Sequence, residues 1–167
     1  DKAVLLFLLD SGCRRAEFCS LNMADLDMLT GAVTVQHGKG GRRRVTFIGA
    51  QTRKAMLAYL RVRRGMTSDA PLWIDERDHR LSFTALRAML VRRAERAGVP
   101  APTVHSFRRG FAINSLRAGV DLVSLQRLLG HVNLSVIQRY LSQTTEDLAA
   151  AHRQSSPVDR MLNRKGR

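Results

Sequence analysis

The chain has 167 residues, of which 44% are hydrophobic, and this length and composition fit one globular domain with a buried core. It carries 28 Lys and Arg against 14 Asp and Glu, a net charge of +14 that favours a polyanionic partner, nucleic acid first. No apolar run approaches the roughly 20 residues of a membrane-spanning helix, and Cys13 and Cys19 lack a metal-binding spacing, so we expect two reduced thiols.

Helical segments dominate the predicted secondary structure. Their starts are predicted from capping residues and their ends from glycines or prolines. In the helix that follows Asp121, we expect Leu122, Leu125 and Leu129 to share one face. Helices are predicted over residues 2–10, from about Arg14, over residues 51–64, from Ser82 to about Ala97, from His105 or Ser106 to Gly119, from Asp121 to Gly130, from Ser135, and from Thr144 or Thr145.

Two short segments predict a β-hairpin. Val33 and Val35, and then Val45 and Phe47, alternate with polar residues, which is typical of strands. The glycine-rich residues 37–42 between them predict the turn. The expected fold class is therefore α+β, a helical bundle with a small antiparallel sheet.

Cleavage of a phosphodiester without a metal needs a protein nucleophile, cations on the phosphate oxygens and an acid for the leaving oxygen. His105 and Arg108 stand three apart where a helix begins, so both side chains share a face near its amide-rich end. This spacing outlines an anion site. Taken alone, a capping histidine and a solvated arginine explain it as well.

Two other basic residues stand in suggestive surroundings. Lys39 lies at the predicted hairpin tip between Gly38 and Gly40, which let the backbone approach a ligand closely. Arg14 begins a short helix with Glu17 three residues later. An exposed basic turn and a surface ion pair are the alternatives for these two features.

Taken together and in order, the segments SGCRRAEF, HGKGGRR, HSFRRGF and LLGHVNLSVIQRY resemble the catalytic domain of the tyrosine recombinases, the phage-integrase family. The resemblance covers about residues 3–150. It departs from the family after Arg108, where Arg109 replaces the usual histidine. The six catalytic positions of the family are matched by Arg14, Lys39, His105, Arg108, His131 and Tyr140.

The resemblance implies a DNA breaking-rejoining fold and a site-specific recombinase that works through a 3′-phosphotyrosyl intermediate without metal, cofactor or ATP. Tyr140 would attack the phosphate, Lys39 would protonate the leaving oxygen, and His105 would serve as the base. Arg14, Arg108 and His131 would hold the phosphate oxygens. Glu17 would orient Arg14.

The resemblance also implies double-stranded DNA as the partner, a homotetramer in the active complex and a cytoplasmic protein encoded by a bacterium, an archaeon or a phage. We expect residues 1–167 to be a single catalytic domain without the family's N-terminal core-binding domain. Residues 154–167 are expected to be loose or to dock on a second copy.

Further DNA contacts are expected from five residues. Arg42, Arg43 and Arg44 of the hairpin are expected to contact the backbone, and Thr84 and Arg87 to contact bases or phosphates. A non-catalytic DNA-binding protein would share the charge and the helices. A type IB-like topoisomerase would share the chemistry.

Overall fold

The computed structural model describes residues 1–36, 43–63, 67–130, 152, 153, 156, 158 and 161. The chain divides into two compact units, Asp1–Asn133 and Leu134–Arg167, and each is described by itself. In the first unit the elements are α1 (Lys2–Ser11), α2 (Arg15–Ser20), a short 3-10 helix (Met23–Asp25), β1 (Ala32–Val35), β2 (Arg44–Phe47), α3 (Ala50–Arg61), α4 (Phe83–Ala97), α5 (Val104–Arg117) and α6 (Leu122–Leu129). The expected mainly helical fold with a small antiparallel sheet is confirmed.

The ends of the helices follow the capping residues. Ser82 Oγ accepts the Ala85 N–H at 3.1 Å at the start of α4. Asp121 Oδ1 likewise accepts the N–H groups of Val123 and Ser124 in the first turn of α6. The start of α5 differs by a residue from the prediction, because Thr103 Oγ1 accepts the Ser106 N–H at 3.1 Å and becomes the cap.

The two strands pair antiparallel, with Val33 opposite Thr46 and Val35 opposite Arg44. The alternation located both strands, but only the valines of β1 are buried. In β2 it is Thr46 that is buried, and its Oγ1 donates to the Ser11 carbonyl at 2.9 Å. The neighbouring apolar residues of β2, Val45 and Phe47, are 43% and 52% exposed.

The expectation for α6 needs one correction. Leu125 and Leu129 are buried as predicted, but Leu122 is 37% exposed. Leu122 is the first residue of the helix and follows the exposed cap Asp121, so it lies at an end that the core does not cover.

The core lies around α1, which packs against both α3 and α5. Three aromatic rings meet there: Trp73 stacks on Phe18 with centroids 4.6 Å apart, and Phe7 meets Trp73 edge-on at 5.1 Å. Both cysteines are buried free thiols, as expected. Since Phe18 belongs to α2, this cluster fixes the short helix next to Arg14 on the rest of the fold.

Only five residues of the second unit are described, and Val158 and Met161 among them are exposed. The predicted helix starts at Ser135 and Thr144 lie outside the described residues. The single-domain arrangement and the docking of the tail stay predictions. Within the described part of the chain, no helix is both long and apolar enough to cross a membrane.

Gly12, which ends α1, has φ 59°, and a Cβ there would lie 2.6 Å from Phe111 Cδ1 and 2.9 Å from Leu129 Cδ2. We predict that Gly12→Ala lowers the free energy of unfolding by about 1–2 kcal/mol for the left-handed backbone and by about 1–3 kcal/mol more for overpacking. Gly98→Ala is the matched control, since φ is 65° there but a Cβ would meet nothing within 4 Å. Urea unfolding of both variants measures the difference. Equal losses would contradict the packing argument.

Candidate active site

The site is built around the buried carboxylate of Glu17 in α2, a residue only 3% exposed. Glu17 Oε2 accepts the backbone N–H of Arg14 at 2.7 Å, and Oε1 accepts Arg14 Nη1 at 2.6 Å. The same carboxylate thus caps the helix and holds the side chain of the residue that precedes it. These two contacts fix the Arg14 side chain against Glu17, and the role of Glu17 in orienting Arg14 for a substrate stays a prediction.

The carboxyl end of α6 receives two arginines. Arg14 Nη2 donates to the Gly130 carbonyl at 3.0 Å, and Arg108 Nη2 donates to the Leu129 carbonyl at 2.5 Å. Carbonyls at this end of a helix lack partners within the helix and carry its negative dipole, so they attract guanidinium groups. Arg108 Nη1 also donates to the Gly12 carbonyl at 2.6 Å.

Arg108 is only 8% exposed, whereas the side chain of Arg14 is 30% exposed. Burial, and next the positive charge of Arg14, lowers the pKa of Arg108 to about 10, while Glu17 opposes this shift. The guanidinium therefore remains protonated at neutral pH. A buried cation held by two carbonyls is a fixed donor for an anion rather than a solvated side chain.

A cleft of about 310 Å³ opens beside these groups and has Arg14, His105 and Arg108 in its wall. His105 is the second residue of α5 and is exposed, while Thr103 caps the helix. The alternative of a capping histidine therefore does not hold for His105. The cleft brings Arg14 together with His105 and Arg108 near the amino end of α5, an arrangement that can bind a phosphate.

The expected DNA-contacting residues fall into two groups. Thr84 and Arg87 are exposed on the first turns of α4, and Arg87 also lines the cleft. Arg43 is exposed. Arg44 departs from the expectation of a surface contact, because its side chain is only 8% exposed and its Nη2 donates to Glu17 Oε2 at 2.9 Å.

Four of the expected site residues, Lys39, Arg42, His131 and Tyr140, lie outside the described residues. His131 follows Gly130 directly in the sequence. Among the described residues, no group of three His, Cys, Asp or Glu side chains could hold a metal ion.

Two features of the site were missed by the sequence analysis. The burial of the Arg44 side chain depends on which face of β2 points into the protein. The apolar residues Val45 and Phe47 predict the wrong face, because they are the exposed ones. Arg15 and Phe83 also line the cleft, with the Arg15 guanidinium 4.7 Å from the centre of the Phe83 ring. Nothing in the spacing of these two residues along the chain indicates that they meet.

Comparison with known proteins gives a consistent result. The model of the phage integrase family matches residues 1–147. The tyrosine recombinase XerC of Thermodesulfovibrio yellowstonii is 33% identical over 168 residues, which cover 96% of this chain and 56% of the relative. The tyrosine recombinase XerA of Thermococcus kodakarensis is 33% identical over 165 residues, which cover 97% of this chain and 57% of the relative.

Solved structures give the same fold. The crystal structure of XerA recombinase superposes with a TM-score of 0.76 at 26% identity, covering 93% of this chain and 57% of that one. The Tn1549 transposon integrase, solved in complex with a circular intermediate DNA, has a TM-score of 0.74 at 20% identity. The superposition covers 92% of this chain and 57% of the integrase chain.

The chain spans a little over half the length of the curated relatives it matches. The family model, however, covers most of the chain, and the two relatives align over nearly all of it. From the match over residues 1–147 and the shared fold we conclude that this chain belongs to the phage integrase family, the tyrosine recombinases.

Proposed function

We propose that this chain is the catalytic part of a site-specific DNA recombinase, or integrase, that cleaves and rejoins double-stranded DNA through a 3′-phosphotyrosyl intermediate. The observation that carries the proposal is the cleft in which Arg14, Arg108 and His105 meet. Both arginines are held by the carboxyl end of α6, immediately before His131. Membership of the family supplies the reaction class.

In the proposed reaction, the Tyr140 hydroxyl oxygen attacks the scissile phosphorus, and the bond from phosphorus to the 5′ oxygen breaks. Charge grows on the non-bridging oxygens, which Arg14, Arg108 and His131 stabilise. Because burial and neighbouring carbonyls fix Arg108 before the substrate arrives, its reorganisation costs little during the reaction. His105 accepts the tyrosine proton and Lys39 protonates the leaving 5′ oxygen.

Rejoining reverses these steps with the 5′ hydroxyl of another strand as the attacking group. The phosphotyrosyl bond keeps the free energy of the original phosphodiester, so the reaction needs no ATP. With arginines meeting the phosphate charge and a lysine acting as the acid, it also needs no metal ion.

The net charge of +14 supports DNA as the substrate, since a strongly basic protein attracts the phosphate backbone. The Tn1549 integrase was solved on DNA, and XerH recombinase was solved bound to its difH substrate. We extend DNA binding to this chain, with a homotetramer as the active assembly and the cytoplasm as its location.

The nucleophile can be tested by covalent trapping on a nicked suicide duplex. The intact protein should form an SDS-stable DNA adduct in EDTA without ATP, and Tyr140→Phe should form none, because the attacking oxygen is gone. Tyr59→Phe is the matched control, since Tyr59 is the other of the two tyrosines and its hydroxyl donates to the Leu72 carbonyl at 3.0 Å.

Tyr59→Phe should keep the adduct. An adduct formed by Tyr140→Phe would contradict the proposed nucleophile, and a requirement for a divalent cation would contradict the metal-free reaction. A protein that binds DNA without any adduct would be the non-catalytic alternative.

The acid can be tested by changing the leaving group. Lys39→Ala should slow cleavage by about 10²–10⁴, the usual contribution of a general acid, while DNA affinity changes little. A substrate with a 5′-bridging sulfur should restore the rate, because a thiolate leaves without a proton. Lys54→Ala, which removes an exposed lysine of α3, should cleave both substrates like the wild type. If the sulfur substrate fails to restore cleavage by Lys39→Ala, Lys39 is not the acid that protonates the leaving oxygen.

The hairpin arginines can be tested by salt dependence. Replacing Arg42 and Arg43 with Ala should weaken binding equally for target and random DNA, and should lower the slope of log affinity against log salt by up to about two, at ~0.9 per phosphate contact. The slope is obtained by measuring the affinity between about 50 and 200 mM salt, a range in which phosphate contacts make affinity fall steeply. A changed site preference at an unchanged slope would indicate base contacts instead.

A further inference from the structure

Arg44 has an environment unlike that of the arginines before it in the sequence. It is the first residue of β2 and pairs with Val35, so its side chain lies on the sheet face that also carries the buried Thr46. Its side chain is 8% exposed, whereas Arg43 is exposed. Arg108 is buried to a similar degree but lines the cleft, whereas Arg44 is not among the described residues that line it, so Arg44 is not placed to meet a phosphate there.

The first contact of Arg44 is with the carboxylate at the centre of the site. Its Nη2 donates at 2.9 Å to Glu17 Oε2, the same oxygen that accepts the Arg14 backbone N–H. Arg108 Nη1 lies 3.9 Å from this oxygen. Three arginines therefore share one carboxylate, and the cluster keeps an excess of positive charge toward the cleft.

The second contact is with the turn at the end of α6. A Cβ on Gly130 would lie 2.5 Å from Arg44 Cδ and 2.8 Å from its Nε, so the Arg44 side chain lies directly against this glycine. The Gly130 carbonyl is the acceptor of Arg14 Nη2. Arg44 thus contacts both groups that hold Arg14, the carboxylate and the turn.

We infer that Arg44 is a positioning residue for the proposed reaction. It holds the Glu17 carboxylate and the Gly130 turn in place, so that Arg14 and Arg108 meet the phosphate in a fixed geometry. It also offsets the Glu17 charge, which would otherwise weaken the attraction of these two arginines for an anion. This inference rests on the function proposed above.

Stability alone gives a poor account of Arg44. Its Nε and Nη1 are buried without a hydrogen-bond partner among the described residues, which costs free energy. A buried ion pair is often no more stabilising than apolar residues of the same volume. What an apolar side chain could not supply at this position is a positive charge and a donor to Glu17.

The test compares Arg44→Met with Arg61→Met, which removes an exposed arginine at the end of α3. In single-turnover cleavage of a suicide substrate at saturating protein, Arg44→Met should be slower by about 100-fold, the effect of misplacing catalytic groups by about 1 Å. Its DNA affinity should stay within about twofold, since no phosphate contact is lost. Arg44→Lys, which keeps the charge, should recover part of the rate, and Arg61→Met should cleave like the wild type.

A double-variant cycle adds a readout that is specific to the pair. If Arg44 acts through Glu17, Glu17→Gln and Arg44→Met together should slow cleavage by less than the product of the two single effects. Multiplying effects would mean that Arg44 acts independently of Glu17 and would overturn the inference. So would weaker binding with a lower salt slope at an unchanged cleavage rate, because Arg44 would then be a phosphate contact.

A readout without DNA separates this inference from the proposed function. Amide hydrogen exchange over residues 12–17 and 126–130 should be faster in Arg44→Met and unchanged in Arg61→Met. Unchanged exchange in Arg44→Met overturns the positioning role even if the wild type cleaves DNA. If the wild type forms no DNA adduct, the proposed function is overturned. The hydrogen-exchange comparison then still decides whether Arg44 orders the arginine cluster. If Arg44→Met does not fold, Arg44→Lys carries the same comparisons.

Discussion

The buried carboxylate of Glu17 is the interaction on which the site depends. At 3% exposure it has lost its hydration, and a charge in that position is tolerated only when cations and N–H groups surround it. Arg14 and Arg44 donate to it, and Arg108 lies within ion-pair distance. Arg44 belongs to β2, Arg108 to α5 and Arg14 caps α2, so the carboxylate ties β2 and α5 to the start of α2.

The carboxyl end of α6 forms the other half of this arrangement. The last carbonyls of a helix have no donor within the helix. Here the guanidinium groups of Arg14 and Arg108 donate to the carbonyls of Gly130 and Leu129. Each arginine therefore has an anionic partner and a carbonyl partner in fixed positions. A guanidinium has five N–H groups, so these contacts leave donors over for a further anion.

The aromatic core explains how a six-residue helix can present such a site. A helix as short as α2 is unstable by itself, and its position must come from packing. Phe18 of α2 stacks on Trp73 and meets Phe7 of α1 edge-on at 5.7 Å. The arginine cluster is thus attached to the most buried part of the fold, which suits a site whose donors must be preorganised.

The amino-acid sequence by itself determined the helices of the first unit and most of their ends, because capping residues and glycines act within a few positions along the chain. Ser82, Asp121 and Gly98 define helix ends through local hydrogen bonds and backbone angles. The family could also be recognised, since the order of its motifs is a property of the chain. The spacing of His105 and Arg108 on one helix face followed for the same reason.

Only the tertiary structure decided which face of β2 is buried and where Arg44 lies. Alternation gives the period of a strand but not its inward side, and here a hydrogen bond from Thr46 and the charge of Glu17 favour the polar face over Val45 and Phe47. Glu17 and Arg44 are 27 residues apart, and Arg14 meets Gly130 across 116 residues. Contacts at such separations depend on how the helices pack, which no local pattern in the sequence specifies.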